Sequence, residues 1–186
     1  SIVARDKKTL ALGVAVATAN TNVRSRVPHV KKGVGAIATQ GLTEVSYGIN
    51  GLKLLEKGHP PTEILEVLLK KDPLREHRQV IIIDVYGRKA AFTGKLNTEF
   101  KGHIIGEDYI VAGNILASEN VLREMIRGFK EGKTFIEKLL LALEYGRDAG
   151  GDIRGERSAA LIIESNEKRL DLAVNESKII NYLWQF

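Results

Sequence analysis

The chain opens with Ser1-Ile-Val-Ala-Arg5, continues through the polar turn Asp6-Lys-Lys-Thr9 and then runs as Leu10-Ala-Leu-Gly-Val-Ala-Val-Ala-Thr18. Two runs rich in β-forming residues on either side of a short polar turn are typical of a β-hairpin. The second run is apolar on both faces, which indicates a strand that is covered on both sides. We therefore expect the hairpin to lie in a sheet that packs on both of its faces.

Beyond the hairpin, groups of strands alternate with pairs of helices. Glycine and proline positions and a capping box of Thr134 with Glu137 indicate several of the boundaries. After a polar connection over residues 19–32, the predicted elements are a strand at 33–39, helices at 47–57 and 60–71, strands at 79–84, 89–93, 103–105 and 109–111, helices at 118–129 and 134–145, and strands at 158–165 and 169–174. The apolar tail, residues 179–186, is expected to pack on the core or on a neighbouring subunit.

Strands that come in runs argue against a doubly wound parallel sheet, in which strands and helices alternate singly. We expect an α+β fold of mainly antiparallel sheets. The two helical pairs can cover the outer faces of the strands, which gives α/β/β/α layers. No linker or repeat interrupts the pattern, so residues 1–186 are predicted to form a single domain.

Composition excludes several classes of protein. The chain has 186 residues, of which 44% are hydrophobic and 27% charged, so it can bury a core and is not a disordered chain. The lack of cysteine excludes a disulfide framework, a thiol nucleophile and a thiolate metal site. No apolar run approaches the length of a membrane span and no signal-peptide pattern opens the chain, so a soluble, cytoplasmic protein is expected.

The net charge of +5 is unevenly distributed along the chain. Residues 7–43 carry six basic side chains and no acidic one, while the rest of the chain has slightly more acids than bases. A basic segment can bind nucleic acid, but residues 7–43 contain no Phe, Tyr or Trp on which bases could stack. A solvated basic loop, or one wall of a pocket for an anionic ligand, is the preferred interpretation.

Common catalytic and cofactor motifs are absent from the sequence. It has no GxxxxGK[ST], GxGxxG, HExxH or GxSxG pattern. Its four histidines, His29, His59, His77 and His103, show no metal-ligand spacing. We therefore expect neither a metal nor an organic cofactor.

Ser1 carries the one feature that points to catalysis. A serine at the start of a strand is, by itself, an ordinary terminus. If it is a true N-terminus, its α-amine, with an ordinary pKa near 8, can act as a base toward its own hydroxyl, directly or through a water. A positive charge nearby would favour the neutral amine and stabilise an oxyanion.

Several short motifs lie in order along the chain from Ser1 to about Val174. The most specific are the opening SIVARD and the block AGGDxRGxxSAA over residues 149–160; the others are GVAVA at 13–17, GVGAIATQ at 33–40, SYG at 46–48, Arg78-Gln79 with Asp84 and Gly87, Thr93-Gly94 and Gly113-Asn114-Ile-Leu116. Together they resemble the motifs of the family grouped as domain of unknown function 1028, whose members are predicted Ntn (N-terminal nucleophile) hydrolase proteins. The resemblance implies a four-layer α/β/β/α sandwich like that of a proteasome β-subunit.

The proteasome-like layout implies roles for a few residues near the start of the chain. Ser1 stands at the nucleophile position, and Lys31 or Lys32 precedes a strand where the family fold has its lysine. Gly41 falls where a backbone amide supplies the oxyanion hole. An aspartate that normally follows the second strand is missing, because that region holds only asparagines at positions 20 and 22.

Other candidate residues follow from the same resemblance. Asp152 is expected to hold the amine or to orient its water; alternatively, it forms a buried pair with Arg154 that fixes a Gly-rich turn. Asn114 is expected to donate to an oxyanion or, alternatively, to bond local backbone. Tyr47 either lines the pocket or starts a helix. The substrate-binding candidates are Arg24, Arg26, Tyr47, Arg154 and Ser158.

Two functions remain open at this level. The first is a hydrolase of a small, anionic, non-peptide amide, with Ser1 as nucleophile and with catalytic contributions from Lys32 or Lys31, Gly41, Asn114 and Asp152. The alternative is a binding or scaffold protein that keeps the fold without catalysis. Fold analogy also suggests a homodimer.

Overall fold

Two antiparallel sheets and four helices make up the part of the chain that the structure, a computed structural model, describes, which is residues 1–176. The strands are β1 (Ile2–Arg5), β2 (Leu12–Thr18), β3 (Pro28–Lys31), β4 (Gly35–Gly41), β5 (Arg78–Asp84), β6 (Lys89–Thr93), β7 (Gly102–Ile105), β8 (Tyr109–Gly113), β9 (Ser158–Glu164) and β10 (Arg169–Val174). The helices are α1 (Val45–Glu56), α2 (Pro61–Lys70), α3 (Asn120–Glu131) and α4 (Phe135–Asp148). The predicted packing of the tail at 179–186 falls outside the described residues.

The opening hairpin lies in the middle of the larger sheet, whose order is β10-β9-β2-β1-β8-β7. β1 pairs with β2 in a register that sets Ile2 opposite Ala15 and Arg5 opposite Leu12. The smaller sheet has the order β3-β4-β5-β6. Every named strand pair in both sheets is antiparallel, which confirms the expectation of antiparallel sheets.

Three clusters of buried apolar side chains hold these elements together. β2 is apolar on both faces because both faces are buried. Leu12 and Val14 belong to a cluster shared with the smaller sheet, whereas Ala15 belongs to a cluster with α3 and α4. In the third cluster, Leu55 of α1 and Ile64 of α2 pack on the smaller sheet. Alternate side chains of one strand therefore feed two different cores.

One strand was not predicted. β3 lies within the polar connection expected over residues 19–32. It was not predicted because four residues that include Pro28 and Lys31 do not have the composition or periodicity of a strand. They form a strand because β4 offers a free edge, with Pro28 opposite Ala38 and Lys31 opposite Gly35. A proline at the first position of an edge strand leaves no ladder donor missing.

The starts of the four helices were predicted to within two residues, and a side-chain cap explains the shift at α1. α4 begins with the predicted capping box, in which Thr134 accepts from the backbone N–H of Glu137 and Glu137 accepts from that of Thr134. α1 begins two residues before the predicted start, because the Glu44 side chain caps the N–H of Ser46. α3 begins at Asn120, two residues after the predicted cap Ser118.

Strand ends from both sheets meet at one place. β1 starts at Ile2, directly after Ser1, while β8 ends at Gly113 and β4 ends at Gly41. Ser1 continues the pairing of β1 with β8, since its carbonyl oxygen accepts from the N–H of Ala112 at 2.9 Å. The fold thus brings Ser1, Gly41 and Gly113 to a common edge. None of the helices in residues 1–176 has the length and apolar character needed to cross a bilayer.

Candidate active site

Ser1 begins a chain of side-chain hydrogen bonds that crosses from one sheet to the other. Its hydroxyl donates to Oε1 of Gln40 at 2.5 Å, and Nε2 of Gln40 donates to Oε1 of Gln79 at 2.9 Å. Nδ2 of Asn114 donates to the same oxygen of Gln79 at 3.0 Å. Ser1 therefore shares one network with β4, β5 and the residue that follows β8.

Backbone carbonyl groups set the direction of this network. Nε2 of Gln79 donates to two of them, at 2.8 and 3.0 Å. Since a carbonyl oxygen only accepts, the oxygen of the Gln79 amide must face the other way, toward Gln40 and Asn114. Gln40 then presents its own oxygen to Ser1. An amide oxygen is not a base at neutral pH, so Gln40 orients the Ser1 hydroxyl and does not deprotonate it.

The amino group of Ser1 is enclosed in the structure and donates to the carbonyl oxygen of Ala112 at 2.8 Å. Burial lowers the pKa of this amine to about 5, although the negative charge of Glu156 opposes the shift. Burial also raises the pKa of the Glu156 carboxyl to about 7, against the opposing charges of the amine and Arg147. The shift favours the uncharged form of the amine at neutral pH.

A cavity of about 100 Å³ surrounds these groups. The predicted site residues that line it are Ser1, Arg26, Gly41, Asn114, Asp152 and Arg154. The predicted site residues that do not line it are Arg24, Lys31, Lys32, Tyr47 and Ser158.

The N–H of Gly41 is directed toward the cavity side of β4. The N–H of Leu42, just after β4, points to the side of β4 that faces β5, where it donates to the carbonyl of His77. The N–H of Thr39 points to the opposite side of β4, where it donates to the carbonyl of Val27. Alternation along the strand puts the N–H of Gly41 on the side of Val27, which also lines the cavity. Gly41 has a φ of 76°, in the left-handed region that favours glycine.

Lys31 and Lys32, expected to supply positive charge, lie at the turn between β3 and β4 and away from the cavity. Lys31 forms an ion pair with Glu56 of α1 at 2.6 Å. Lys32 donates to the backbone carbonyl of Asn166 at 3.1 Å. Both side chains are thus engaged at the surface, and the structure does not bring either of them to Ser1.

Arginine supplies the positive charge at the cavity instead. Arg26 and Arg154 line it, whereas Arg24 points to β10 and forms a two-pronged contact with Asp171, with both distances at 2.5 Å. Asp152 pairs with Arg154 at 2.7 Å. The alternative role of Asp152, a pair that fixes a Gly-rich turn, is therefore present in the structure.

Tyr47 and Ser158 make structural contacts. Tyr47 lies in the first turn of α1, and its hydroxyl donates to Asp72 at 2.6 Å. The hydroxyl of Ser158 donates to the carbonyl of Asn20 at 2.5 Å and accepts from the N–H of Val23 at 3.3 Å. Ser158 thus anchors the loop after β2 and does not face the cavity.

Backbone strain occurs beside Asn114. Ile115 has a φ of 57°, which is rare for a β-branched residue. Its N–H donates to the carbonyl of Thr98 at 3.0 Å, and its carbonyl accepts from the N–H of Ile153 at 3.1 Å. These two bonds hold the strained turn in place, and the turn fixes Asn114 at the edge of the cavity.

Comparison with known proteins identifies the family. The family model described as "Family of unknown function (DUF1028)" matches residues 1–179. The chain belongs to the DUF1028 family. It is similar to the crystal structure of protein SPO2555 from Silicibacter pomeroyi, a structure labelled with the same family model, with a TM-score of 0.93 and 31% sequence identity. The match covers 99% of this chain and 82% of that chain. No match was found among curated proteins.

Sequence reasoning missed three residues of this candidate site, namely Gln40, Gln79 and Glu156. Gln40 and Gln79 face each other across β4 and β5, and both are buried. A polar side chain at a strand end was a weak signal that only the pairing of two distant strands makes meaningful. Glu156 lies two residues after the singled-out Arg154, and an acid within a Gly-rich loop gave no sign of its burial.

Proposed function

We propose that this DUF1028 protein is an N-terminal-nucleophile hydrolase, in which Ser1 attacks the carbonyl carbon of a small amide. One observation carries the proposal: the Ser1 hydroxyl lies in a cavity beside its own enclosed amine, whose pKa is lowered to about 5. An amine that is neutral at pH 7 next to a hydroxyl is the base–nucleophile pair that this chemistry needs. The proposal requires that Ser1 is the first residue of the mature protein.

The architecture supports the same assignment. One apolar cluster joins the two sheets, a second joins α3 and α4 to the larger sheet, and a third joins α1 and α2 to the smaller one. We propose that this arrangement is the four-layer α/β/β/α sandwich of Ntn hydrolases. The cluster memberships support the order of the layers.

Each proton has a place in the proposed reaction. The Ser1 hydroxyl turns from Gln40 to the amine, which takes its proton as Oγ bonds to the substrate carbonyl carbon. The oxyanion that forms accepts from the N–H of Gly41 and from the second N–H of the Asn114 amide, whose first is bound to Gln79. The ammonium then gives its proton to the leaving nitrogen as the C–N bond breaks. Water hydrolyses the resulting ester by the same route.

The size and charge of the cavity support a small substrate. Its volume of about 100 Å³ is below the roughly 300–1,000 Å³ of typical ligand pockets, which favours a small molecule. Its charged lining residues are three arginines and two acids, and this excess of basic side chains favours an anionic molecule; they are Arg26, Arg147, Arg154, Asp152 and Glu156. We therefore propose a small, anionic, non-peptide amide as the substrate class.

The test is a screen of small amides against the purified protein and three variants, each confirmed by mass to begin at residue 1. Ser1→Ala should lower turnover of any substrate by at least about 1,000-fold, because the nucleophile is lost. Ser1→Thr should keep measurable turnover, because it keeps both hydroxyl and amine. Ser46→Ala, at an exposed position of α1, is the matched control and should behave as wild type. Equal turnover by Ser1→Ala and the wild-type protein would contradict the proposal.

A second candidate is a binding or scaffold protein that uses the same fold without catalysis. One observation favours it: Ser1 exchanges both backbone hydrogen bonds with Ala112, at 2.8 and 2.9 Å. A peptide N–H would make the same bond, so the ladder also accommodates a chain that continues before Ser1. In that protein the Ser1 amine would have no chemical role, so acetylation of the terminus would leave ligand binding unchanged.

A further inference from the structure

Arg26 is a partly buried cation in the Ser1 cavity without an acidic partner among residues 1–176. Its side chain makes one hydrogen bond, from Nη2 to the carbonyl oxygen of Thr21 at 3.0 Å. A guanidinium carries five N–H donors in a planar fork, so most of its donor capacity is unused by the protein. A charge held in this state is stabilised when an anion binds to it.

The other charged side chains of the cavity are already matched. Arg154 is paired with Asp152 at 2.7 Å, and Arg147 with Asp148 at 2.9 Å. Glu156 has Arg147 as an oppositely charged neighbour, and also the Ser1 amine whenever that amine is protonated. Arg26 is therefore the group in this part of the chain whose charge the described residues leave uncompensated.

The segment that carries Arg26 is held firmly. Val23, at the start of a short helical turn three residues earlier, is buried, and its N–H donates to Ser158. Val27, the next residue, is also buried and accepts through its carbonyl from the N–H of Thr39 in β4. A cation on such a segment is positioned before a ligand arrives, which lowers the entropic cost of binding.

We infer that Arg26 binds a carboxylate of the substrate, so that the substrates are small amides that also carry a carboxylate group. A planar carboxylate can accept two parallel N–H bonds from a guanidinium, which gives both affinity and orientation. The carboxylate would sit at one end of the cavity while the amide reaches Ser1 at the other. That the bound carboxylate belongs to a substrate rests on the proposed hydrolase function, whereas the binding of a carboxylate by Arg26 does not.

The test measures binding without catalysis. Succinate and glutarate are titrated into the wild-type protein and into Ser1→Ala, Arg26→Gln, Arg26→Lys and Arg24→Gln, with the Kd read from chemical-shift changes. Arg26→Gln should weaken binding by at least about 10-fold, equivalent to 1.4 kcal/mol. Arg26→Lys keeps the charge and loses the fork, so an intermediate Kd is expected. Arg24→Gln removes the same charge two residues away, where Asp171 already pairs with it, and should change Kd less than about two-fold.

Two results separate this inference from the hydrolase proposal. Binding that depends on Arg26 and persists in Ser1→Ala supports the carboxylate site even if no amide is hydrolysed. Turnover that depends on Ser1 but is equal in Arg26→Gln and wild type would overturn the site and leave the hydrolase standing. Absence of binding to the wild type at millimolar succinate and glutarate would also overturn it. Thermal melting of each variant checks that a lost signal does not come from a lost fold.

Discussion

At the scale of single residues, two groups in the cavity have pKa values shifted in opposite directions. The pKa of the Ser1 amine falls from 8.0 to about 5, and the pKa of the Glu156 carboxyl rises from 4.5 to about 7, both chiefly because the groups are buried. The folded protein therefore disfavours both charges, and each penalty depends on pH. The result is a pair of opposing contributions to stability between pH 5 and 7.

The signs follow from which state binds more protons. Between pH 5 and 8 the unfolded chain holds a proton on the Ser1 amine that the folded one lacks, so this group makes stability rise with pH. Between pH 4.5 and 7 the folded chain holds a proton on Glu156 that the unfolded one lacks, so this group makes stability fall with pH. In the wild type the two effects nearly cancel from pH 5 to 7.

Glu156→Gln removes one of the two effects. Relative to wild type, the free energy of unfolding of this variant should increase by about 2 kcal/mol between pH 5.5 and 7.0, at roughly 1.36 kcal/mol per pH unit. Urea unfolding at both pH values measures the difference, in which the other titrating groups cancel. Glu119→Gln, at an exposed helix-start position, is the control and should show no such change. A constant difference for Glu156→Gln would show that this carboxyl titrates normally.

At the scale of elements, side chains of α4 pack directly on Gly13 of β2. A Cβ added at Gly13 would lie 2.5 Å from Cδ1 of Leu139 and 3.1 Å from the ring of Phe135. Both side chains belong to α4, so the glycine sets how near the helix can approach the strand. The GVAVA stretch thus contains one position at which the fold requires the absence of a side chain.

Gly13→Ala should therefore lower the free energy of unfolding by about 1–3 kcal/mol, because the added methyl group overpacks the interface. Denaturant unfolding measures the change. Gly102→Ala is the matched control, since a Cβ there would meet Leu122 at 3.6 Å, an ordinary contact. Equal stability of Gly13→Ala and wild type would mean that α4 is free to shift away from β2.

The sequence predicted those elements whose signal is local. The opening hairpin, the capping box at Thr134 and the antiparallel character of the sheets were all readable from periodicity and turn residues. β3 was not readable, because it becomes a strand only by pairing with β4. The predicted single domain and homodimer remain predictions.

The site was predictable only in part for a related reason. Ser1, Gly41, Asn114 and Arg26 were singled out and do meet at one cavity. Lys31 and Lys32 were wrongly expected at the cavity. Their position just before a strand in the sequence does not reveal in which direction the side chains of that turn point. The Gln40–Gln79 contact joins residues from two strands with two helices between them, which no local pattern reveals.

At the scale of the whole molecule, the basic segment 7–43 does not form one charged surface. Lys7 pairs with Glu107, Arg24 with Asp171 and Lys31 with Glu56, so much of the positive charge is compensated by acids from other parts of the chain. The net charge of +5 thus gives little support for a continuous nucleic-acid surface, and Arg26 is the part of the segment that bears on the cavity.

Catalysis by Ser1 with its own free amine requires that the mature protein begin at Ser1. The protein would be isolated from its natural source and its N-terminal peptide identified by mass spectrometry after gentle labelling of free amines. We expect this peptide to begin with Ser1 and its amine to take the label once the protein is unfolded. A mature chain with residues before Ser1, or with a blocked Ser1, would show that Ser1 does not act with its own amine.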